Sequence, residues 1–194
     1  MACVVDSIGR GGQGARMSRN ASPIAVVQGA SSEAIQGLLA DFAARVAEAG
    51  GVRIAGLIEC APEGCHGDAP ALLRTIAGGR TFPIFQDLGP GSTACALDSV
   101  SLVAAGEQVR ADIAAGCDLV VLSKFAKLEA ENRSGLLAAF GDAIAAGLPI
   151  VTAVSPKFMD RWDAFAAPLY ACLPADAAAL DAWWQGQGPI KTND

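Results

Sequence analysis

Short apolar runs at residues 24–27, 52–58, 118–123 and 150–154 are separated by stretches of helical period, and this alternation constrains the fold more than any other feature. A run of strand length without polar alternation has no face to offer water, so it belongs in a sheet covered on both sides. The first run, Ile24-Ala25-Val26-Val27, ends at Gly29. Ser31 or Ser32 then caps a helix whose Ile35, Leu38, Leu39, Phe42 and Val46 lie on one stripe, and Gly50-Gly51 stops it before the second run. Strand, helix, strand in that order is the unit of a parallel sheet, so the expected class is α/β with three layers, a mostly parallel sheet between helices.

The remaining elements follow by the same signals. Residues 71–76 and 80–85 flank Ala77-Gly78-Gly79 and read as a β-hairpin inserted into the parallel pattern. A helix begins at Asp98 or Ser99 and runs to about residue 115, and another covers about 134–146, closed by Gly147 and Pro149. A short helix carries Phe158, Trp162 and Phe165, an edge strand lies near 169–172, and a last helix over about 175–185 ends in Trp183-Trp184. The aromatic residues of this end read as seals of the core or of a subunit contact. Residues 1–22, rich in Gly, Ser and Arg, are expected to be a flexible tail, 23–187 a single α/β domain, and 188–194 a loose C-terminus.

Composition narrows the function classes. The chain's 194 residues are enough to bury a core without disulfide or metal support. No apolar run reaches the roughly 18–20 residues of a membrane span, and no signal peptide is visible, so a cytoplasmic protein without membrane insertion is expected. A net charge of −6 argues against nucleic acid as a partner. It leaves room for a local cationic pocket. Six cysteines in such a chain do not read as a disulfide framework, and Cys117 and Cys172, in apolar contexts, are expected to be buried. The apolar composition permits a homo-oligomer.

Four segments could carry chemistry. The turn of Gly29, Ser31 and Ser32 leads from a strand into a helix N-terminus, where backbone N–H groups and the helix dipole favour an anion. A P-loop would need GxxxxGK[ST], and no lysine occurs between Pro23 and Val52. The Gly89-Pro90-Gly91-Ser92 turn can form a nest of N–H groups to which Ser92 adds a hydroxyl. Lys124, Lys127 and Glu129 follow the strongest strand, beyond whose carboxyl end an open parallel sheet takes its ligands. There the lysines can attract an anion while Glu129 orients one of them. Cys60, Cys65 and His66, with Cys95 as a further donor, are chemically apt for zinc, although their spacing is not that of a common zinc module. Each segment also has a plainer reading: a capped turn, an ordinary loop, solvated lysines, a coincidental thiol pair.

The segments VRIAGLIE, QDLGPGSTACALD, DLVVLSKFAKLEAE, LPIVTAVSPKFMDRWDAF and ALDAWW resemble a bacterial family whose members often carry the label "molybdenum ABC transporter ATP-binding protein". The resemblance covers about residues 24–184. The layout is also similar to the small thermophilic-type nucleoside-triphosphatases, which implies a P-loop-NTPase-like fold. In that comparison Ser123 stands where a magnesium-associated Asp would be and Lys124 where a Glu follows it, while Lys127 and Glu129 match. Within the bacterial family, Asn and Gly are usual where this chain has Ser123 and Ala126. The resemblance thus implies the fold, a degenerate Walker A region and a connection to molybdenum. Together the readings lead to a binder of a small oxyanion or other anionic ligand, with molybdate as one such ligand. The alternatives are a nucleotide phosphohydrolase using NTP and magnesium, with Glu129 acting on water, and a metal-binding protein using Cys60, Cys65 and His66.

Overall fold

The computed structural model describes residues 22–61, 71–85 and 97–188. Its strands are β1 (Ile24–Gln28), β2 (Ile54–Cys60), β3 (Leu72–Thr75), β4 (Thr81–Pro83), β5 (Leu119–Phe125), β6 (Ile150–Val154) and β7 (Tyr170–Pro174). The helices are α1 (Ser32–Glu48), α2 (Ser99–Ala114), α3 (Lys127–Glu131), α4 (Leu137–Ala145), α5 (Met159–Ala166) and α6 (Ala177–Gln185). The strands form one sheet in the order β4-β3-β2-β5-β6-β1-β7. Every contact from β2 to β7 is parallel, and the hairpin β3–β4 adds antiparallel strands at the β2 edge. This is the three-layer, mostly parallel α/β fold with a hairpin insertion.

Alternating side chains build a core on each face. On one, Ala25, Val27, Leu119, Val121 and Val151 pack against Leu39 and Phe42 of α1 and Leu180 and Trp183 of α6. On the other, Val26, Leu57, Val120, Leu122 and Ile150 pack against Leu102 and Val109 of α2, Phe140 of α4 and Trp162 of α5. Trp162 is fully buried, in edge contact with Phe125 and Phe140. Trp183 is buried too, and its indole N–H donates to the Ser22 carbonyl at 2.8 Å. Trp162 and Trp183 therefore serve the core, whereas Phe165 is exposed and Trp184 half-buried. Except for Ser22 and Gly188, the segments 1–22 and 188–194 lie outside the described residues. No described helix is long and apolar enough to cross a membrane.

Several boundaries differ from the sequence pattern. The second strand continues through Glu59 and Cys60, because β3 supplies a ladder there, with Glu59 opposite Leu73 and Cys60 opposite Leu72. The strand expected over 118–123 extends to Phe125, which pairs with Val154 beyond a bulge that follows Leu122. Lys124 therefore belongs to a strand. The short helix α3 lies in a stretch to which no helix was assigned, just before the polar residues Asn132 and Arg133. The burial expected of two cysteines is also corrected. Cys117 is half-buried in the turn before β5, and Cys172 is exposed because β7 is an edge strand. Burial pushes the Cys117 thiol above its ordinary value, against a backbone hydrogen bond involving Ala55 that lowers it.

Two positions give direct tests of this architecture. Gly56 has φ +132°, and a Cβ there would sit 1.9 Å from the Val121 carbonyl oxygen. Neither the backbone angle nor the approach of β2 to β5 tolerates a side chain. Gly56→Ala is expected to cost more than about 3 kcal/mol in chemical denaturation. Asp98 caps α2, accepting from the Ser101 N–H at 3.0 Å and the Ser101 hydroxyl at 2.9 Å, and these bonds hold its carboxyl below the ordinary 3.8. A lowered folded value means stabilisation that is complete above the ordinary value and lost as pH falls through the folded one. The stability difference between wild type and Asp98→Ala should therefore shrink as unfolding is measured from pH 6 down to pH 2.

Candidate functional site

Past Leu57 and Leu122 the ladder between β2 and β5 stops. Continued in the same register, it would next join the Glu59 N–H to the Ser123 carbonyl. Instead the side chain of Gln36 fills the gap: its Nε2 donates to the Ser123 carbonyl at 2.7 Å and its Oε1 accepts from the Glu59 N–H at 2.9 Å. Gln36 lies on the inward stripe of α1 and is only 5% exposed. A carboxamide donates through its nitrogen and accepts through its oxygen, so it meets both backbone groups where the ladder stops.

The splayed strands present their next side chains on the α2 face. Val120, Leu122 and Phe125 belong to the same core layer, and the odd step from 122 to 125 is the bulge. The extra residue re-aims the strand, as bulges do. Lys124 emerges beside Glu59, its Nζ donating to Oε2 at 2.6 Å with the lysine side chain 39% exposed. Such a half-exposed pair contributes little stability by itself. Its consequence is positional, since it fixes an ammonium at the carboxyl ends of two strands.

Glu129, 7% exposed, is engaged otherwise. One carboxylate oxygen accepts from the Ala126 N–H at 3.0 Å and closes the first turn of α3. The other accepts from the Leu136 N–H, also at 3.0 Å, and anchors the start of α4. A Cβ at Gly135, where φ is +64°, would lie 2.5 Å from that second oxygen. The carboxylate fits because residue 135 is a glycine. The expected pairing of Glu129 with a lysine is thus replaced by backbone contacts, and Glu59 is the acid that orients Lys124.

These groups surround a cavity of about 110 Å³ between the end of the sheet, the hairpin, α2 and the α3–α4 corner. Among the described residues its polar lining is Glu59, Ser123, Lys124, Lys127 and Glu129, and its apolar walls include Leu73, Ile84, Leu102 and Leu136. Lys127 opens to solvent at the first position of α3. The structure thus brings Lys124, Lys127 and Glu129 together and adds Glu59. Sequence reading missed Glu59 because its partner lies 65 positions away. The one available signal was a carboxylate at the end of an otherwise apolar strand.

Gly29, Ser31 and Ser32 do not line this cavity. Only Gly29, Ala30 and Ser31 separate β1 from α1, and the Ser31 hydroxyl accepts from the Ala34 N–H at 3.2 Å as a helix cap. Beyond β1 and β6, where the crossovers leave for opposite faces and such sheets most often bind ligands, the Gln28 amide donates to the Met159 sulfur at 3.0 Å. Gly91 and Ser92 lie outside the described residues, within the segment that leaves at Phe85 and returns at Leu97, two residues joined by an isolated bridge. Cys65, His66 and Cys95 also lie outside them. Cys60 is half-buried, and among the described residues no three His, Cys, Asp or Glu side chains are grouped as a metal site.

Against this geometry, comparison with known proteins places the chain plainly. Residues 24–183 match the family model described as "Protein of unknown function (DUF2478)", and the chain belongs to that family. Over 151 residues it is 38% identical to "Molybdenum import ATP-binding protein ModC 2" of Bradyrhizobium diazoefficiens. The match takes in 76% of this chain but 16% of that protein, so the chain spans about a sixth of the length of this curated relative. Among solved structures, a human cancer-related nucleoside triphosphatase superposes with a TM-score of 0.53 at 13% identity, covering 78% of this chain and 86% of the other. That likeness shows the P-loop-NTPase type of fold.

Gln36 provides the test of how the site is held open. Gln36→Leu preserves bulk but leaves the Ser123 carbonyl and the Glu59 N–H without partners, at about 1–3 kcal/mol for each buried group. Urea denaturation should show a loss of about 2–6 kcal/mol, whereas substitution of the exposed neighbour Gly37 by Ala should not lower stability.

Proposed function

We propose that this member of the DUF2478 family binds a small anion at Lys124 and Lys127, without nucleotide hydrolysis of the P-loop kind. The observation that carries the reading is the convergence of both lysines on one cavity at the carboxyl end of a parallel sheet, in a chain of net charge −6. Of the two acids in the lining among the described residues, Glu129 is engaged by backbone N–H groups and Glu59 by Lys124. A two-lysine site of this kind suits a carboxylate, phosphate or similar oxyanion through charge-assisted hydrogen bonds.

Molybdate is the first inorganic probe because the relative's name is that of a molybdenum import protein. The three-residue turn after β1, its serine already capping α1, gives no support to phosphate wrapping by a P-loop. The likeness to a nucleoside triphosphatase supports the layout of the sheet and no more.

Isothermal titration with molybdate, tungstate, sulfate and phosphate should give measurable heat for at least one of them. Each charge-assisted hydrogen bond contributes about 1.5–3 kcal/mol, so Lys124→Ala/Lys127→Ala should weaken that anion by about 100-fold or more. Glu59 competes with the anion for Lys124, and Glu59→Gln should therefore tighten binding about two- to fivefold. Absence of heat with every one of these anions and with small organic carboxylates as well would sink the reading. Phosphate release from magnesium–NTP that disappears in Glu129→Gln would replace it with a phosphohydrolase.

A further inference from the structure

The walls of the cavity bear on which anion it takes. Leu73 and Ile84 come from the hairpin, Leu102 from α2, Leu128 from α3 and Leu136 from the start of α4. Among the described residues the charged groups of the lining lie on the side formed by the ends of β2 and β5 and the first turn of α3, where Lys124 and Lys127 reach solvent. A bare inorganic oxyanion drawn into this space would exchange its hydration for leucine methyl groups, which cannot donate a hydrogen bond. An anion with an apolar body faces no such conflict, because its head can stay at the lysines while its hydrocarbon displaces water from the leucines. At about 110 Å³ the space is somewhat smaller than an apolar cavity of about 150 Å³ that takes benzene, which puts its apolar occupant at about four carbons.

We infer that the ligand is a small organic anion, a carboxylate or phosphate monoester head carrying a compact apolar body of about four carbons. Its head lies at Lys124 and Lys127, and its body lies among Leu73, Ile84, Leu102 and Leu136. The inference rests on the anion-binding reading above and adds the chemical class of the ligand.

A homologous series tests it on the unaltered protein. Acetate, propionate, butyrate, valerate, hexanoate and octanoate are titrated at neutral pH beside inorganic phosphate. Affinity should climb by about fourfold for each methylene buried, level off near valerate, and fall for octanoate, which exceeds the space. Leu102→Phe, which narrows the cavity from α2, should flatten that rise and bring valerate down to the level of acetate. Its unfolding midpoint, measured in parallel, shows that the fold persists. An affinity that does not change with chain length, yet is still lost in Lys124→Ala/Lys127→Ala, would overturn the apolar-body inference and leave the anion reading standing. If neither the carboxylates nor the inorganic anions bind, the anion reading fails and takes this inference with it.

Discussion

One buried carboxamide governs the geometry of this protein's candidate site. Where β2 and β5 cease to bond each other, Gln36 joins the Glu59 N–H to the Ser123 carbonyl. Beyond that point Glu59 and Lys124 stand side by side at the end of the sheet, joined by an ion pair of 2.6 Å. Everything beyond that point is arranged around the opening. The bulge in β5 re-aims Lys124, Phe125 is locked among Phe140 and Trp162, and the hairpin closes the far wall with Leu73 and Ile84. An apolar residue at position 36 would leave two backbone groups without partners inside the core.

Glu129 performs a second constraint of the same kind. Its two oxygens hold the N–H groups of Ala126 and Leu136, so a short helix and the start of the next are set relative to the sheet by one carboxylate. The positive φ of Gly135 and its missing Cβ make room for that carboxylate. An acid next to a lysine in sequence invites a catalytic or charge-pairing interpretation. Here the acid shapes the corner that presents the lysine.

The likeness to a human nucleoside triphosphatase lies in the layout of the sheet. The parallel strands and crossovers follow the shared layout, and the switch point between β1 and β6 is where a ligand would be sought first. In this chain Gln28 and Met159 bond across that place, and the turn after β1 has only enough residues to cap a helix. The cavity bearing the lysines lies by the β2 and β5 ends, on the face covered by α2 and α4. A fold of this type supports many activities, so the site's own residues have to carry the functional argument.

From the linear order of residues, the strand and helix alternation, the parallel sheet, the hairpin and the helix starts at Ser31 or Ser32 and at Asp98 or Ser99 were legible, because each depends on local periodicity or on a side chain within a few positions of its partner. The cluster of Lys124, Lys127 and Glu129 was legible as a neighbourhood for the same reason. What stayed out of reach depends on long-range pairing. The continuation of β2 through Cys60 required β3, and the exposure of Cys172 required β7 to be an edge. The roles of Glu59 and Gln36 required β2, β5 and α1 to meet. Composition and spacing determine which elements form and which face each buries, since those follow from hydrophobic free energy along a local period. Only the packed tertiary structure decided which acid faces which lysine, because a hydrogen bond is directional over about 3 Å and its partner is found in space, not in sequence.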